Sequence, residues 1–313
     1  MNDESDNLYQ RGLRAFGGHD PHAGFRGVRA LVGPKDIPQG EDLARQAMDA
    51  LKAGIEPSPA QKMALERLIK LLRPSVLSQR ALLEPLPPYQ NYAPNVLTQW
   101  ASFQTTVKSY LYSVGRIDIL GASASAEGLA TGFVVAPGVL ATNTHVLDAL
   151  SANTRRLERG QAVAMFGQEF NVVPDLPAVP ITGVIAVHPD LDVSLLRIED
   201  TARPPWSLDP TPQKKAQRVA VIGYPQDDPR SPVFRTAIFQ DRYGVKRAAP
   251  GEVRGVGPNS VYHDCSTLGG NSGSPVVNLD TCKVVGMHRD GPLFLFRNEA
   301  VDGASLLDFV NKN

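Results

Sequence analysis

The sequence predicts a mainly β protein, a pair of small antiparallel barrels that follow a small α-helical N-terminal region. The counts of Gly 27 and Pro 26 in 313 residues are high for a helical protein and indicate many turns. From about Ser113 onward, short apolar runs alternate with turn residues, and no long helix separates them. About two hundred residues of this pattern fit two barrels better than one sandwich.

The region before the barrels reads as three kinds of segment. Residues 1–40 show no sustained periodicity and are predicted to be loosely ordered. The helical pattern of Glu41–Ala53 is followed by Ser58, an N-cap, and Pro59, a first-turn proline that opens a second helix. These patterns predict a helical hairpin, and a proline-rich linker completes the segment 41–94.

The segment 95–313 is predicted to be the barrel domain, with barrel one at about 113–205 and barrel two at about 206–313. It opens with a helix predicted over Val96 to about Tyr112. The apolar runs predicted as strands are GFVVAPGVLAT, ITGVIAV, VSLLRI, RVAVIGYP, FRTAIF, GSPVVN, KVVGMH and LFLF. The tail ASLLDFV predicts a short closing helix.

Charge and composition exclude several classes of partner. Lys+Arg and Asp+Glu are both 32, so the chain has no long-range field that would attract nucleic acid or an anionic membrane. Neither is expected as a partner, although the alternative of a local charged patch stays open. No apolar run approaches the roughly twenty residues of a membrane span, and no metal-ligand spacing is present, so neither cofactor nor metal is expected. If the chain begins at its natural start, the absence of a secretory signal predicts a cytoplasmic location.

Two cysteines, Cys265 and Cys282, are too few for a disulfide framework. A disulfide between two strands and a pair of reduced thiols both remain open, and a cytosolic location favours the thiols.

Three motifs carry residue types that hydrolytic chemistry needs. TGFVVAPGVLATNTHVL predicts a hairpin that turns at Pro137 and Gly138, with His145 just beyond its second strand. HPDLDVSLLRI places Asp192 at the mouth of a strand, and STLGGNSGSPVVN places Ser272 in a turn between strands. The order His, Asp, Ser differs from that of α/β-hydrolases and subtilisins, and it predicts a catalytic triad.

Each member of this triad has a role. Ser272 is the nucleophile, His145 is the general base, and Asp192 holds the imidazole in the useful tautomer. Three glycines bracket the serine and permit backbone angles and a close substrate approach: Gly269, Gly270 and Gly273. The N–H groups of Gly270 and Ser272 are the candidate oxyanion hole.

The motifs GFVVAPGVLATNTHVL, DLDVSLL and GGNSGSPV resemble those of the trypsin-like bacterial peptidases of the chymotrypsin superfamily. The match runs from about Ser113 to the C-terminus. This resemblance implies two six-stranded antiparallel barrels of the chymotrypsin-like type, with the triad in the cleft between them. It also implies a serine endopeptidase that acts on protein or peptide substrates through an acyl-enzyme.

Within the superfamily, the motifs are most similar to those of the glutamyl endopeptidases. In that group a histidine on the strand after the nucleophile binds the substrate carboxylate, and VVGMHRDG places His288 there. Thr267 matches the pocket threonine of the group. The likeness implies a preference for acidic residues, Glu before Asp, ahead of the cut. His288 as a satisfied strand histidine is the other interpretation, and Arg289 either adds acidic selectivity or points to solvent.

Two further residues carry expectations. Asn271 stands where digestive-type relatives carry an aspartate that pairs with a new amino terminus after cleavage. Because an amide has no such charge, activity is expected without activation by cleavage. His188 precedes Asp192 on the same loop and is predicted to be structural.

Two classes of function remain to be separated: an active endopeptidase, and a catalytically retired protease fold that acts as a binding or scaffold module. The N-terminal helices are expected to restrain the cleft, to recruit a regulatory partner, or to couple the protease to a sensor as in bacterial defence systems. Simple bracing of the barrels is the remaining alternative.

Overall fold

The chain folds as two compact units. A computed structural model describes residues 3–16, 40–87, 92–120, 130–174, 176–200, 202–228, 232–291 and 297–313. The helical unit comprises Met1–Pro74, Leu86–Trp100 and Pro229–Asp241. The barrel unit comprises Ser75–Pro85, Ala101–Asp228 and Arg242–Asn313.

The helices and strands are numbered in chain order. The helices are α1 (Asp3–Ala15), α2 (Gly40–Lys52), α3 (Pro59–Leu71), α4 (Pro94–Val107), α5 (Thr144–Leu150), α6 (Pro232–Phe239) and α7 (Gly303–Asn311). The strands are β1 (Val76–Gln79), β2 (Leu82–Leu83), β3 (Val114–Ile119), β4 (Ala130–Ala136), β5 (Val139–Thr142), β6 (Ala162–Met165), β7 (Val179–Val187), β8 (Ser194–Ile198), β9 (Arg218–Gly223), β10 (Arg247–Gly257), β11 (Ser260–His263), β12 (Pro275–Asn278), β13 (Val284–Asp290) and β14 (Asn298–Asp302).

Both helices of the predicted hairpin, α2 and α3, are present in the helical unit. Ser58 begins α3 with a capping box, in which its hydroxyl accepts from the Gln61 N–H at 3.3 Å. The Gln61 side chain in turn accepts from the Ser58 N–H at 2.8 Å. The facing sides of the two helices share a core that includes Ala44, Ala47, Met48, Leu51, Leu65, Leu68 and Ile69.

Helix α1 lies within residues 1–40, which the sequence predicts to be loosely ordered. Its buried residues Leu8 and Ala15 join the core of α2 and α3. Buried Arg11, between them, forms a two-pronged ion pair with Glu66 at 2.7 and 2.9 Å. Because Arg11 is charged, it interrupts the apolar pattern of α1, and the helical period is hidden in the sequence. Its ion pair with Glu66, formed only in the folded chain, explains how this arginine can be buried.

The run FRTAIF is predicted as a strand, and that prediction is wrong. These residues belong to α6, which lies in the helical unit, and Ala237 joins the core of α1–α3. A short apolar run cannot be assigned to helix or strand by periodicity alone, and Pro232 supplies a favourable first helical residue. The predicted strand LFLF lies outside the described residues.

Barrel one is a closed antiparallel sheet in the order β3-β4-β5-β8-β7-β6. Its interior is filled by apolar side chains, among them Ile117, Val134, Leu140, Phe166, Ile181 and Leu196. The predicted hairpin between β4 and β5 is present, and Gly138 adopts the positive φ of 76° that a type II turn requires at this position.

Barrel two has the order β9-β10-β11-β14-β13-β12, and pairing of β9 with β12 closes it. The two six-stranded antiparallel barrels implied by the resemblance are therefore confirmed. The β1–β2 hairpin adds to this sheet through β10. These two strands lie inside the segment 41–94, where the sequence predicts only a helical hairpin and a linker. The other domain boundaries stay predictions.

Two predicted helices are present with small differences. Helix α4 ends at Val107, before the predicted end at Tyr112, and a short 3-10 turn follows at Leu111–Ser113. Helix α7 is the predicted closing helix. Among the helices in the described ranges, none is long and apolar enough to cross a bilayer.

Lys246, just before β10, is completely buried inside the barrel unit. Its amine donates to the carbonyls of Leu111 at 2.6 Å and Phe166 at 2.9 Å. The Glu169 carboxylate lies 4.0 Å away and accepts from Ser78 Oγ of β1 at 2.6 Å. Burial lowers the pKa of Lys246 to about 7, although Glu169 opposes this shift.

Lys246→Met is expected to remove a pH-dependent part of the stability. Burial lowers the pKa of this amine to about 7 in the folded chain, against an ordinary value of 10.5. Between these values only the unfolded chain binds the proton, so the free energy of unfolding rises with pH across this window. Urea unfolding at several pH values in the window should show the rise in the wild type.

The exposed-lysine variant Lys283→Met is the matched control and should keep the wild-type slope. If the free energy of unfolding changed equally with pH in the wild type and both variants, the lowered pKa of Lys246 would be contradicted.

Candidate active site

His145 and Asp192 form a hydrogen-bonded pair at one end of barrel one. His145 lies in the first turn of α5, and Asp192 ends the loop between β7 and β8. The His145 Nδ1 and an Asp192 carboxylate oxygen are 2.8 Å apart, and the other carboxylate oxygen accepts from the His145 backbone N–H at 3.0 Å. The His145 side chain is 50% exposed, so its ring can meet a substrate from solvent.

Strand pairing brings these two residues together. In the β5–β8 ladder, Thr142 lies opposite Ser194, so the residues just beyond them meet at the same edge of the barrel. The Asn143 side chain then donates to the Asp192 backbone carbonyl at 2.9 Å.

Two opposing effects set the charge of Asp192. Burial raises the pKa of this carboxyl, but hydrogen bonds from the His145 ring and backbone and the charge of His145 lower it. The net effect holds the pKa of Asp192 below its ordinary value. Asp192 therefore stays ionised and can orient the imidazole.

Ser272 lies in the turn between β11 and β12, as predicted, and two of its bracketing glycines are required there. Gly270 and Gly273 have positive φ values of 83° and 84°. A β-carbon on Gly273 would lie 2.1 Å from the carbonyl oxygen of Thr131, and one on Gly270 would lie 2.4 Å from that of Tyr224.

Gly269, the third bracketing glycine, differs from these two. Among the described residues other than its chain neighbours, a β-carbon there would meet no atom within 4 Å, and its φ lies outside the left-handed region. The backbone conformation therefore does not require glycine at residue 269, and the close substrate approach expected there stays a prediction.

The candidate oxyanion N–H groups take no part in the hydrogen bonds found within the described part of the turn. The N–H of Asn271 donates to the Leu268 carbonyl at 3.2 Å, and that of Gly273 donates to the His288 carbonyl at 2.9 Å. Within the part of the chain that the structure describes, the N–H groups of Gly270 and Ser272 have no protein acceptor. They remain available to an incoming oxyanion.

Thr131 of β4 joins the serine turn to barrel one, and sequence reasoning missed it. Its N–H donates to the Ser272 carbonyl at 2.9 Å, and its hydroxyl donates to the Gly270 carbonyl at 2.8 Å. The same hydroxyl accepts from the Tyr224 N–H at 3.1 Å. Thr131 is completely buried, so these bonds are shielded from water.

His288 on β13 lies against the serine turn and is 3% exposed. Its backbone N–H donates to the Ser274 carbonyl at 2.8 Å. Its Nδ1 lies 3.3 Å from Nε2 of His263, a buried histidine at the end of β11 that sequence reasoning missed. A lone histidine at a strand end has no local signal of such a pairing.

The other two predicted pocket residues are Thr267 and Arg289. Thr267 is half-buried in the segment that leads into the serine turn. Arg289 lies 3.4 Å from the Glu299 carboxylate, which compensates part of its charge. The hydroxyl of Ser272 lies 3.4 Å from the backbone carbonyl of Arg289.

Asn271 and the two cysteines are all buried. The Asn271 amide is nearly buried and donates to the Leu268 carbonyl at 3.2 Å, so the turn contains a neutral group at this position. Cys265 and Cys282 are both reduced and buried. Burial raises the pKa of the Cys282 thiol to about 11. Within the described ranges, no three His, Cys, Asp or Glu side chains are placed to hold a metal ion.

The three motifs coincide with a known family profile. The profile of the trypsin-like peptidase domain matches residues 130–287, half of the chain, and this range includes His145, Asp192 and Ser272. The chain belongs to the trypsin-like peptidase domain family. The resemblance to trypsin-like peptidases of the chymotrypsin superfamily, which the three motifs indicate, is therefore confirmed.

Relatives of this chain include a glutamyl endopeptidase of Staphylococcus epidermidis, 26% identical over 172 residues, which cover 51% of this chain and 54% of that protein. A probable serine protease of Lysobacter enzymogenes is 27% identical over 247 residues, which cover 64% of this chain and 62% of that protein. The chain thus spans about half the length of the staphylococcal relative.

A solved structure of a Glu endopeptidase in complex with MPD superposes with a TM-score of 0.50 at 18% sequence identity. The match covers 64% of this chain and 90% of that one. At this identity the likeness concerns the fold, and it agrees with the two barrels described above.

Gly273→Ala is expected to destabilise the chain by roughly 2 kcal/mol or more, because the new methyl group meets Thr131 and the φ is positive. Gly269→Ala is the matched control and should leave the free energy of unfolding nearly unchanged, since the new methyl group would meet no described residue beyond its chain neighbours within 4 Å. Urea unfolding measures both. Similar losses in the two variants would contradict this account of the turn.

Proposed function

We propose that the chain is a serine endopeptidase in which His145, Asp192 and Ser272 act as the catalytic triad. The hydrogen bond of 2.8 Å between the His145 ring and the Asp192 carboxylate carries this proposal. Membership of the trypsin-like peptidase domain family supports it. The substrates proposed are proteins or peptides.

The proposed reaction uses each group in turn. The Ser272 hydroxyl attacks the scissile carbonyl while His145 accepts its proton, and the Gly270 and Ser272 N–H groups donate to the oxyanion. His145 then gives the proton to the leaving amine, which leaves an acyl-enzyme on Ser272. Water activated by His145 hydrolyses this ester. Asp192 stays ionised throughout and stabilises the imidazolium.

Ser272→Ala is expected to abolish labelling by a fluorophosphonate, which reacts with an activated serine hydroxyl. Asp192→Asn should lower kcat by about 10⁴-fold, since it favours the wrong tautomer of His145. Mass spectrometry locates the label, and hydrolysis of a peptide library measures kcat. Ser109→Ala, at an exposed serine of the barrel unit, should label like the wild type.

A wild-type chain that is folded yet neither labelled nor active on the library would favour the retired protease fold. In that case the fold acts as a binding or scaffold module.

We further propose that the pocket prefers acidic residues, Glu before Asp, ahead of the cut. The motif likeness to glutamyl endopeptidases and the position of His288 against the serine turn support this preference. An imidazole and the Thr267 hydroxyl can bind a carboxylate through charge-assisted hydrogen bonds. His263 next to His288 offers a second ring to share the positive charge. Arg289 contributes less, because Glu299 already lies beside it.

His288→Gln is expected to lower kcat/KM for Glu substrates by roughly tenfold or more relative to the matched Gln substrates, since charge-assisted bonds are stronger than neutral ones. Arg289→Met should change this ratio less. Mass spectrometry of library digests measures the residue before each cut. If the wild type shows no enrichment of acidic residues there, the preference is refuted.

The chain of 313 residues is expected to be active without trypsin-style activation cleavage, because the neutral Asn271 offers no charge to a new amino terminus. Active-site titration of the intact chain, with its mass verified before and after, measures this. Activity that arises only in a cut form would overturn the expectation.

We also propose that the helical unit is regulatory or recruits a partner, including a sensor. Helix α6 belongs to this unit although its sequence lies between two strands of barrel two, and this interleaving of the sequences supports the proposal. Partners captured by the full-length Ser272→Ala chain can be added to the wild type in a peptide assay. A regulator changes kcat, whereas an adaptor leaves it unchanged.

A further inference from the structure

The loop that presents Asp192 is closed by His188. The backbone N–H of His188 donates to the Val193 carbonyl at 2.9 Å, which closes the turn between β7 and β8. Inside the turn, the His188 ring nitrogen Nδ1 accepts from the Asp190 N–H at 3.1 Å and from the Leu191 N–H at 2.9 Å. The side chain therefore supplies the acceptor that a short loop cannot find in its own backbone.

This arrangement determines the chemical state of the His188 ring. Two N–H donors converge on Nδ1, so this nitrogen must present its lone pair, and the neutral ring carries its proton on Nε2. The ring also packs edge-on against Phe309 of α7, with centroids 5.0 Å apart. These contacts leave the ring a single orientation in the loop.

Asp192 lies directly after the part of the loop that His188 holds. Leu191 is bonded to the His188 ring, and the Val193 N–H donates to the Leu191 carbonyl at 2.8 Å. The Asp192 carboxylate must reach both the ring and the backbone N–H of His145. A small rotation of the Asp192 backbone would break one of these two bonds.

We infer that His188 is a positioning residue of the peptidase reaction, which acts by holding Asp192 against His145. The inference rests on the proposed triad. The proposed role depends on one hydrogen-bond acceptor, the Nδ1 atom of His188, which binds two backbone N–H groups of the loop. A residue that keeps an acceptor at this point keeps the function, and one that lacks it loses the function.

Asparagine and glutamine test this because each places its amide oxygen differently. In Asn the Oδ1 occupies the position of His Nδ1, whereas in Gln the Oε1 corresponds to Nε2. In the full-length chain, His188→Asn should keep kcat within about threefold of the wild type. His188→Gln and His188→Leu should lower kcat by roughly tenfold to a hundredfold with little change in KM, because a small misplacement of a catalytic group has effects of this size.

Two outcomes would overturn the inference: unchanged kcat in His188→Leu, or equal losses of kcat in the Asn, Gln and Leu variants. Thermal unfolding is measured for each variant, and kcat is measured at a temperature at which every variant is folded. A loss of kcat at that temperature reports a misplaced Asp192 and not an unfolded chain.

A spectroscopic measurement tests the geometry without turnover. The Nδ1 proton of His145, bonded to Asp192, should give a downfield proton resonance in the Ser272→Ala chain. Adding His188→Asn should keep this resonance, and adding His188→Leu should shift or broaden it. An unshifted resonance in the Leu variant refutes the positioning role. Failure of the triad itself is recognised separately, since the wild type would then not react with a fluorophosphonate.

Discussion

The candidate site depends on the buried hydrogen bonds of Thr131. His145 and Asp192 belong to barrel one, whereas Ser272 belongs to a turn of barrel two. Thr131 of β4 bonds to this turn through both its backbone N–H and its hydroxyl. Because Thr131 is shielded from water, these bonds are strong and directional, and an isolated barrel could not reproduce them. The close approach also explains why residue 273 must be glycine.

A second set of contacts extends the barrel unit beyond the matched family profile. The profile begins at residue 130, but the β1–β2 hairpin, far earlier in the chain, adds to barrel two. Ser78 of this hairpin donates to the buried carboxylate of Glu169, which follows β6 of barrel one. The amine of buried Lys246 lies beside the same carboxylate. Helix α6 shows the reverse relation, since its sequence interrupts barrel two while its Ala237 joins the helical core. Neither unit is therefore a single continuous stretch of sequence.

Much of the site could be predicted because its signals are local. Pro137 and Gly138 specify the hairpin before His145, and the glycines around Ser272 specify a turn with unusual backbone angles. The capping box of α3 is equally local. The errors have one physical origin, which is dependence on distant partners. The charge of Arg11 can be buried in α1 because Glu66 pairs with it. The run FRTAIF fits a helix and a strand equally well by its local pattern, and Ala237 joins a helical core that lies elsewhere in the sequence.

The sequence by itself determined the two barrels, the hairpin of helices and the three candidate catalytic residues, because turn chemistry and hydrophobic period act over a few neighbouring residues. Only the tertiary structure decided which groups surround them. The pairing of His288 with His263, the compensation of Arg289 by Glu299 and the packing of His188 against Phe309 are contacts between side chains. Such contacts follow from strand register and barrel closure, which connect residues far apart in the chain.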